Sequence, residues 1–186
     1  MPFLAPAIND EKGALLSFLN QQRDAVRASV GGLTDEQAST SPSVSQLSLA
    51  GLLKHVIRCE WGWMVETVAR SDEAPPFALD GNYEDGFRMT NGETVADLLR
   101  QYDVVAARTE EIVAGIEDLG TTFPAPKFEW FPTEGLEWSP RWVLLHLIEE
   151  VGRHAGHADI IRETLDGTQA FALIDALDAS RVGAAA

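Results

Sequence analysis

Glu150 and His154 are the residues whose types and spacing favour metal chemistry in this chain. They lie in the stretch EEVGRHAGHAD, residues 149–159, whose neighbours are otherwise apolar and helical in pattern. Side chains at positions i and i+4 of a helix lie about 5–6 Å apart on one surface. A carboxylate oxygen and an imidazole nitrogen can therefore bind the same cation. The spacing predicts two ligands of one metal site, with a third ligand from elsewhere in the chain.

The segment that carries this pair has a seam of residues spaced alternately by four and three, which is typical of a buried helix face. The seam consists of Leu147, Val151, His154, Ala158, Ile161 and Leu165. Glu150 lies one turn before His154, and a carboxylate there must be paired, ligated or protonated because isolated buried charge is costly. Glu149 points about 100° away and is predicted to be solvated. His146 lies about 12 Å before His154 along the axis, too far to share an ion.

His55 can supply the third ligand from a facing helix. It lies in an earlier helical segment on or beside an apolar stripe that includes Leu52 and Val56. A histidine there is either a hydrogen-bonded core residue or a ligand, and its pairing with the ExxxH motif favours the ligand. Cys59, one turn later, is either a further ligand, a residue that contacts the ligands or the substrate, or a small buried apolar group.

Other polar residues of the stretch have two interpretations each. His157, three residues after His154, either orients a ligand and meets substrate or is structural. Arg153 either orients a cosubstrate or relays a proton, or it belongs with the ion-paired surface residues. Surface ion pairs contribute little to stability individually. The residues predicted to be ion-paired at the surface or at an interface also include Asp159, Arg162 and Glu163.

Four segments of helical periodicity must position these residues, and we predict them at about 10–31, 48–70, 94–118 and 140–166. The last begins with Ser139 and Pro140, a cap residue and a proline at the first helical position, and ends at Gly167. No β pattern lies between the segments. The sequence thus predicts an all-α four-helix bundle, one domain over residues 1–186, with a short helix near 170–178.

Two connections, residues 72–93 and 121–138, are longer than a bundle requires. Loops above about 15 residues in a compact domain are often binding loops or lids. The second connection is rich in aromatic residues, including Trp130 and Trp138. These rings are predicted either to cover a substrate or to plug the open end of the bundle.

The composition restricts the classes of partner. The chain has 186 residues with a formal net charge of −15, which disfavours nucleic acid and anionic membrane surfaces. Its single cysteine allows no intrachain disulfide. We find no signal peptide and no apolar run near the ~20 residues of a membrane span. These features predict a cytoplasmic protein with a preference for a neutral or cationic ligand, and the metal site predicts a small-molecule substrate. A homodimer is considered because bundles of this size often dimerise.

Two stretches of the sequence resemble a known superfamily. SPRWVLLHLIEEVGRHAGHADIIRETLDG and, upstream, SLAGLLKHVIRCEWGWM are similar to the DinB-like (YfiT-like) superfamily, nearest to the branch called mini-circle protein. The resemblance covers residues 10–168. It implies a four-helix bundle with a divalent metal, commonly zinc or nickel, bound by one histidine of the second helix and an HxxxH motif of the fourth.

The chain departs from that motif at Glu150, which stands where the first histidine of the HxxxH is usual. In this it resembles the mycothiol-dependent maleylpyruvate isomerases, which use a His/Glu/His triad. The resemblance implies His55, Glu150 and His154 as ligands, the same three residues that helical spacing indicates. Characterised relatives use mycothiol, bacillithiol or glutathione as cosubstrate.

The expected function is that of a metal-dependent, thiol-dependent transferase or isomerase. Three protein ligands leave a position open for water or a substrate atom, as in catalytic metal sites. One alternative is a metal-dependent hydrolase at the same site. The other is a non-enzymatic bundle in which the metal only joins two helices or the protein binds a ligand.

Overall fold

The computed structural model describes residues 4–78, 83–90, 92–128 and 131–184. Its α-helices are α1 (Glu11–Ser29), α2 (Asp35–Ala38), α3 (Leu49–Trp61), α4 (Val95–Gly115), α5 (Pro140–Asp166) and α6 (Ala170–Ala184). A π-helical segment, Gly62–Val68, continues α3, and a 3₁₀ helix spans Tyr83–Phe87. Two short strands, β1 (Phe123–Pro124) and β2 (Glu137–Trp138), pair antiparallel. The prediction of an all-α bundle is confirmed.

The helices that make the bundle begin at side chains that bond to exposed backbone N–H groups. Each cap oxygen accepts from an amide three residues ahead, which satisfies one of the donors that a helix start leaves unpaired. The four caps are Asp10, Ser48, Thr94 and Ser139. Gly167 ends α5 with a φ of 80°, the left-handed conformation that glycine adopts without strain. The start and end of α5 therefore follow from local sequence.

The core lies where α3 packs against α4 and α5, and α1 packs against α5 and α6. Most of its completely buried side chains are apolar residues of these helices, among them Leu52, Leu53, Val56, Leu98, Leu144 and Leu147. Burying such side chains contributes about 1.5–3 kcal/mol each. This packing holds α3 and α5 at a fixed separation, and the candidate ligands are on these two helices. Among the residues described, no helix is both long and apolar enough to cross a membrane.

The C-terminal helix α6 has 15 residues and is longer than the short helix predicted near 170–178. Its Leu173 and Ile174 are buried against Ala28 of α1. Arg181, near its other end, forms an ion pair with Asp24 of α1 at 2.6 Å. These contacts stabilise turns that the sequence pattern alone does not support.

Arg162, which was predicted to be an ion-paired surface or interface residue, lies at the interface of α1 and α5 and pairs with Asp166. Its side chain is buried and its Nη1 donates to the carbonyl oxygens of Ser29 and Gly31, each at 2.9 Å. The C-terminal turn of α1 leaves these carbonyls without helical partners, and Arg162 supplies the missing donors from α5. Its Nε donates to Asp166 at 3.0 Å.

Candidate metal centre

Glu150 lies between two histidines at the interface of α3 and α5. Its Oε1 is 3.2 Å from His55 Nε2 and 3.2 Å from His154 Nε2. The two imidazole rings meet edge to face with centroids 4.7 Å apart. The structure thus brings together all three residues that the sequence indicated as ligands, although His55 and Glu150 are 95 positions apart in sequence.

The side chains of the cluster are mostly buried but keep some contact with solvent. The side chains of His55 and His154 are 11% and 12% exposed, and that of Glu150 is 20% exposed. Hydrogen bonds from His154 and His55 hold the pKa of Glu150 well below its usual range, against the opposing effect of burial. Glu150 is therefore a carboxylate at neutral pH, in a position that a small ligand can reach.

Cys59 is the fourth group in this cluster. Its Sγ lies 3.3 Å from His55 Nε2 and 3.9 Å from Glu150 Oε1. One ligand atom from each of His55, Cys59 and Glu150 lies within 4.8 Å of the other two. Burial, with the Glu150 charge, raises the pKa of the Cys59 thiol to about 12, so the thiol is neutral at pH 7 when no cation is present.

The contacts of Glu150 with both histidines, and of Cys59 with His55 and Glu150, are close to the separations that a shared metal ion imposes. Zinc bond lengths and tetrahedral angles place a nitrogen and an oxygen donor about 3.3 Å apart, and a sulfur about 3.5 Å from either. The nitrogen–oxygen contacts of 3.2 Å match this spacing, and the sulfur contacts of 3.3 and 3.9 Å are close to it. Nitrogen, oxygen and sulfur donors together suit zinc or nickel better than calcium or magnesium.

The remaining polar residues of α5 occupy different positions around the cluster. His157 Nδ1 lies 3.5 Å from His154 Nδ1, on the side of that ring away from Glu150. Arg153 forms an ion pair with Glu149 and both are exposed. His146 Nδ1 lies 3.6 Å from Glu149. The structure therefore places His157 beside a candidate ligand, whereas Arg153 pairs on the outer face of the helix.

Aromatic rings continue from the cluster toward the start of α5. Trp138 stacks on Trp142 with ring centroids 4.8 Å apart and planes inclined by 5°. Trp142 stacks on His146 at 5.4 Å, and Trp63, four positions after Cys59, meets His146 edge to face at 4.7 Å. Trp138 is thus part of an aromatic wall, and the His146 ring of this wall precedes Glu150 by one turn of α5. Trp130 lies outside the described residues.

Phe87 covers His55, a contact that sequence reasoning missed. The rings stack with centroids 4.0 Å apart and an interplanar angle of 18°. The approach depends on Gly51 in α3, because a Cβ at that position would lie 1.9 Å from the Phe87 carbonyl oxygen. A glycine one turn before a histidine on the same helix was the available signal, since glycine permits close backbone approach.

Comparison with known proteins identifies the family of the chain. Residues 14–167 match the protein family described as mycothiol-S-transferase. The chain belongs to this family. The resemblance to the DinB-like superfamily is thereby confirmed. The matched range includes α3, α5 and the four candidate donor residues.

A solved structure shares the fold of this mycothiol-S-transferase family member. It is described as the crystal structure of the conserved protein of locus from Enterococcus faecalis, and it aligns with a TM-score of 0.67 over 87% of this chain and 100% of that chain. Its sequence identity is 14%, so the likeness concerns the fold alone. No curated protein sequence matches the chain.

Proposed function

We propose that the protein is a divalent-metal-dependent transferase or isomerase that uses a low-molecular-weight thiol of the mycothiol type. The observation that carries this proposal is the position of Glu150 Oε1, 3.2 Å from the Nε2 atoms of both His55 and His154. Membership of the mycothiol-S-transferase family supports the thiol as cosubstrate. We place the reaction in the cytoplasm, with a small molecule as acceptor or substrate.

His55, Glu150 and His154 are the residues that would hold the cation, with zinc or nickel favoured. Such a cation lowers the pKa of a thiol near it and so supplies a strong nucleophile at neutral pH. Glu150 provides the negative charge that offsets the cation, and its two histidine partners keep it ionised. His157, against the outer nitrogen of His154, orients that ring.

The aromatic wall of Trp63, Trp138, Trp142 and His146 is the surface on which we expect the electrophilic substrate to lie. Trp142 is 42% exposed and Trp138 is 7% exposed, so the wall has one accessible edge and a supported interior. Aromatic and apolar side chains beside a few polar groups are typical of the lining of small-molecule sites. His146 belongs to this wall and precedes Glu150 by one turn of α5, which supports a substrate position beside the cluster.

Metal content is the first test of the proposal. The purified protein, expressed with zinc and nickel available, should contain about one divalent ion per chain by mass spectrometry of the metal. His154→Ala should lose it. His146→Ala is the matched control, because it removes a histidine of the same helix that does not contact Glu150, and it should keep the ion. Absence of metal from the unaltered protein would overturn the proposal.

Thiol-dependent turnover is the second test. We expect the metal-loaded protein to convert a reactive electrophile only when mycothiol is present. A transferase would consume the thiol and an isomerase would regenerate it, and in both cases turnover should stop after chelation and recover when the ion is returned. Turnover without added thiol, but with the same dependence on metal, would indicate the hydrolase instead. Stoichiometric metal with no turnover of either kind would indicate a non-enzymatic bundle joined by its ion.

A further inference from the structure

We infer that Cys59 is a fourth donor of the metal centre, so that a thiolate from the chain itself takes the position that three ligands would leave open. This inference rests on the proposed function, because it concerns the same ion. It goes beyond the His/Glu/His set in both the identity of the donors and the state of the resting protein. A four-donor centre with a sulfur differs from an open three-donor centre in spectrum, affinity and accessibility.

The position of the sulfur is the first support. Cys59 follows His55 by one turn of α3, so both side chains lie on the face that meets α5. The Sγ atom is 3.3 Å from His55 Nε2, the same nitrogen that contacts Glu150 Oε1. The sulfur, nitrogen and oxygen thus surround one small volume between the two helices.

The surroundings of the sulfur are the second support. Within the part of the chain that the structure describes, the hydrogen-bond contacts of Cys59 Sγ are with His55 and Glu150, and both are candidate ligands. A cysteine that only fills apolar space would be expected to point into the Leu and Val side chains of the core. This sulfur points at donor atoms instead, with separations close to those that one zinc ion imposes.

The charge of the centre follows from this donor set. Glu150 and a Cys59 thiolate together balance a divalent cation, whereas Glu150 alone leaves one positive charge. Sulfur donors also favour zinc over harder cations such as magnesium and manganese. A cosubstrate thiol would then meet a centre that already has one sulfur, and the two sulfurs compete for the same position.

Cobalt(II) substitution tests the inference directly, because cobalt bound to a thiolate has an intense near-ultraviolet charge-transfer absorption. Cys59 is the only cysteine, so no other thiolate of the chain can produce the band. The cobalt protein should show it, and Cys59→Ser and Cys59→Ala should lack it while still binding about one cobalt. Both variants should bind zinc about tenfold or more weakly.

The outcomes separate this inference from the proposed function. If the unaltered protein binds cobalt but lacks the charge-transfer band, the role of Cys59 is overturned and the His/Glu/His site is unaffected. No cobalt bound by that protein overturns both. A band that persists in Cys59→Ala also overturns the inference, since its source is then not Cys59.

A second measurement needs no variant and so does not depend on variant folding. Metal-loaded and metal-free protein are treated with a thiol-specific reagent, and the rate of Cys59 modification is followed by mass. Ligation should slow the reaction by at least about tenfold, because the sulfur lone pair is engaged. Equal rates in a protein shown to hold its ion overturn the inference.

Discussion

Two glutamates of the bundle interior, Glu60 and Glu150, have opposite surroundings. Glu60 on α3 accepts from Arg23 Nε of α1 at 3.0 Å and from the Thr109 hydroxyl of α4 at 2.7 Å. Glu60, Arg23 and Thr109 are all 0% exposed. Glu150 on α5 lies between two histidines and keeps one fifth of its side chain in contact with solvent.

The difference separates a structural charge from a functional one. A guanidinium stays protonated at every accessible pH and binds a carboxylate through two parallel contacts. The Arg23–Glu60 pair is therefore permanent and joins α1 to α3 in a dry core. Imidazoles can exchange a proton for a cation, so the partners of Glu150 leave it available for chemistry. Glu60 and Cys59 are adjacent in sequence, yet they face these two different environments.

Loss of Glu60 should have the largest effect on the free energy of unfolding. Glu60→Ala leaves Arg23 buried without its carboxylate, which should lower the free energy of unfolding by about 3–5 kcal/mol. Glu150→Ala in metal-free protein removes two hydrogen bonds from a partly exposed carboxylate, and each should cost only about 0.5–1.5 kcal/mol. Urea unfolding of both variants measures the contrast. Equal losses would mean that Glu150 is as structural as Glu60.

Metal binding should have the next largest effect. A divalent ion at about 100 times its Kd adds about 2.7 kcal/mol to the free energy of unfolding, which for a chain of this size raises Tm by about 5–10 °C. His154→Ala should abolish the rise, whereas Thr109→Val, which alters the Glu60 network, should keep it. Thermal scans with and without zinc decide the matter, and an unchanged rise in His154→Ala would place the ion elsewhere.

Displacing Phe87, which covers His55, should have an intermediate effect on the free energy of unfolding. In Gly51→Ala the new Cβ would meet the Phe87 carbonyl oxygen, so the 3₁₀ helix Tyr83–Phe87 must shift away from α3. We expect a loss of about 1–3 kcal/mol and greater exposure of His55, without any change at Arg23 and Glu60.

Gly156→Ala on α5 is the matched control for the Gly51 variant. An added Cβ there meets no atom within 4 Å, so the variant should gain about 0.5–1 kcal/mol from reduced backbone freedom. Urea unfolding gives both values. A neutral Gly51→Ala would show that the Phe87 segment does not depend on close approach to α3.

The smallest effect concerns Asp166, a carboxylate near the surface that serves as a reference for the two interior ones. The hydrogen bond from Arg162 lowers its pKa to about 2. A lowered pKa in the folded state stabilises the protein above the unfolded value of about 3.9, and this contribution disappears as pH falls from about 4 to about 2. Asp166→Asn should flatten the pH dependence of unfolding in this range only. An identical slope in variant and parent would contradict the assignment.

The parts predicted correctly from the sequence depend on local rules. The bounds of α5 follow from Ser139, Pro140 and Gly167, and the Glu150–His154 contact follows from the four-residue spacing. The carbonyl partners of Arg162 were not predicted, because they lie at and just after the end of α1, which no pattern within α5 reveals. The position of Phe87 was missed because it depends on how a long loop packs against Gly51.

The sequence by itself determined which residues share a helix face: Glu150 with His154, and His55 with Cys59. One turn of helix sets these pairings, so they need no knowledge of the rest of the chain. Only the tertiary structure decided that the two faces meet at the same height and that Cys59 reaches the same oxygen as His55. That outcome depends on the rotation and axial position of α3 against α5, which the packing of the whole core sets.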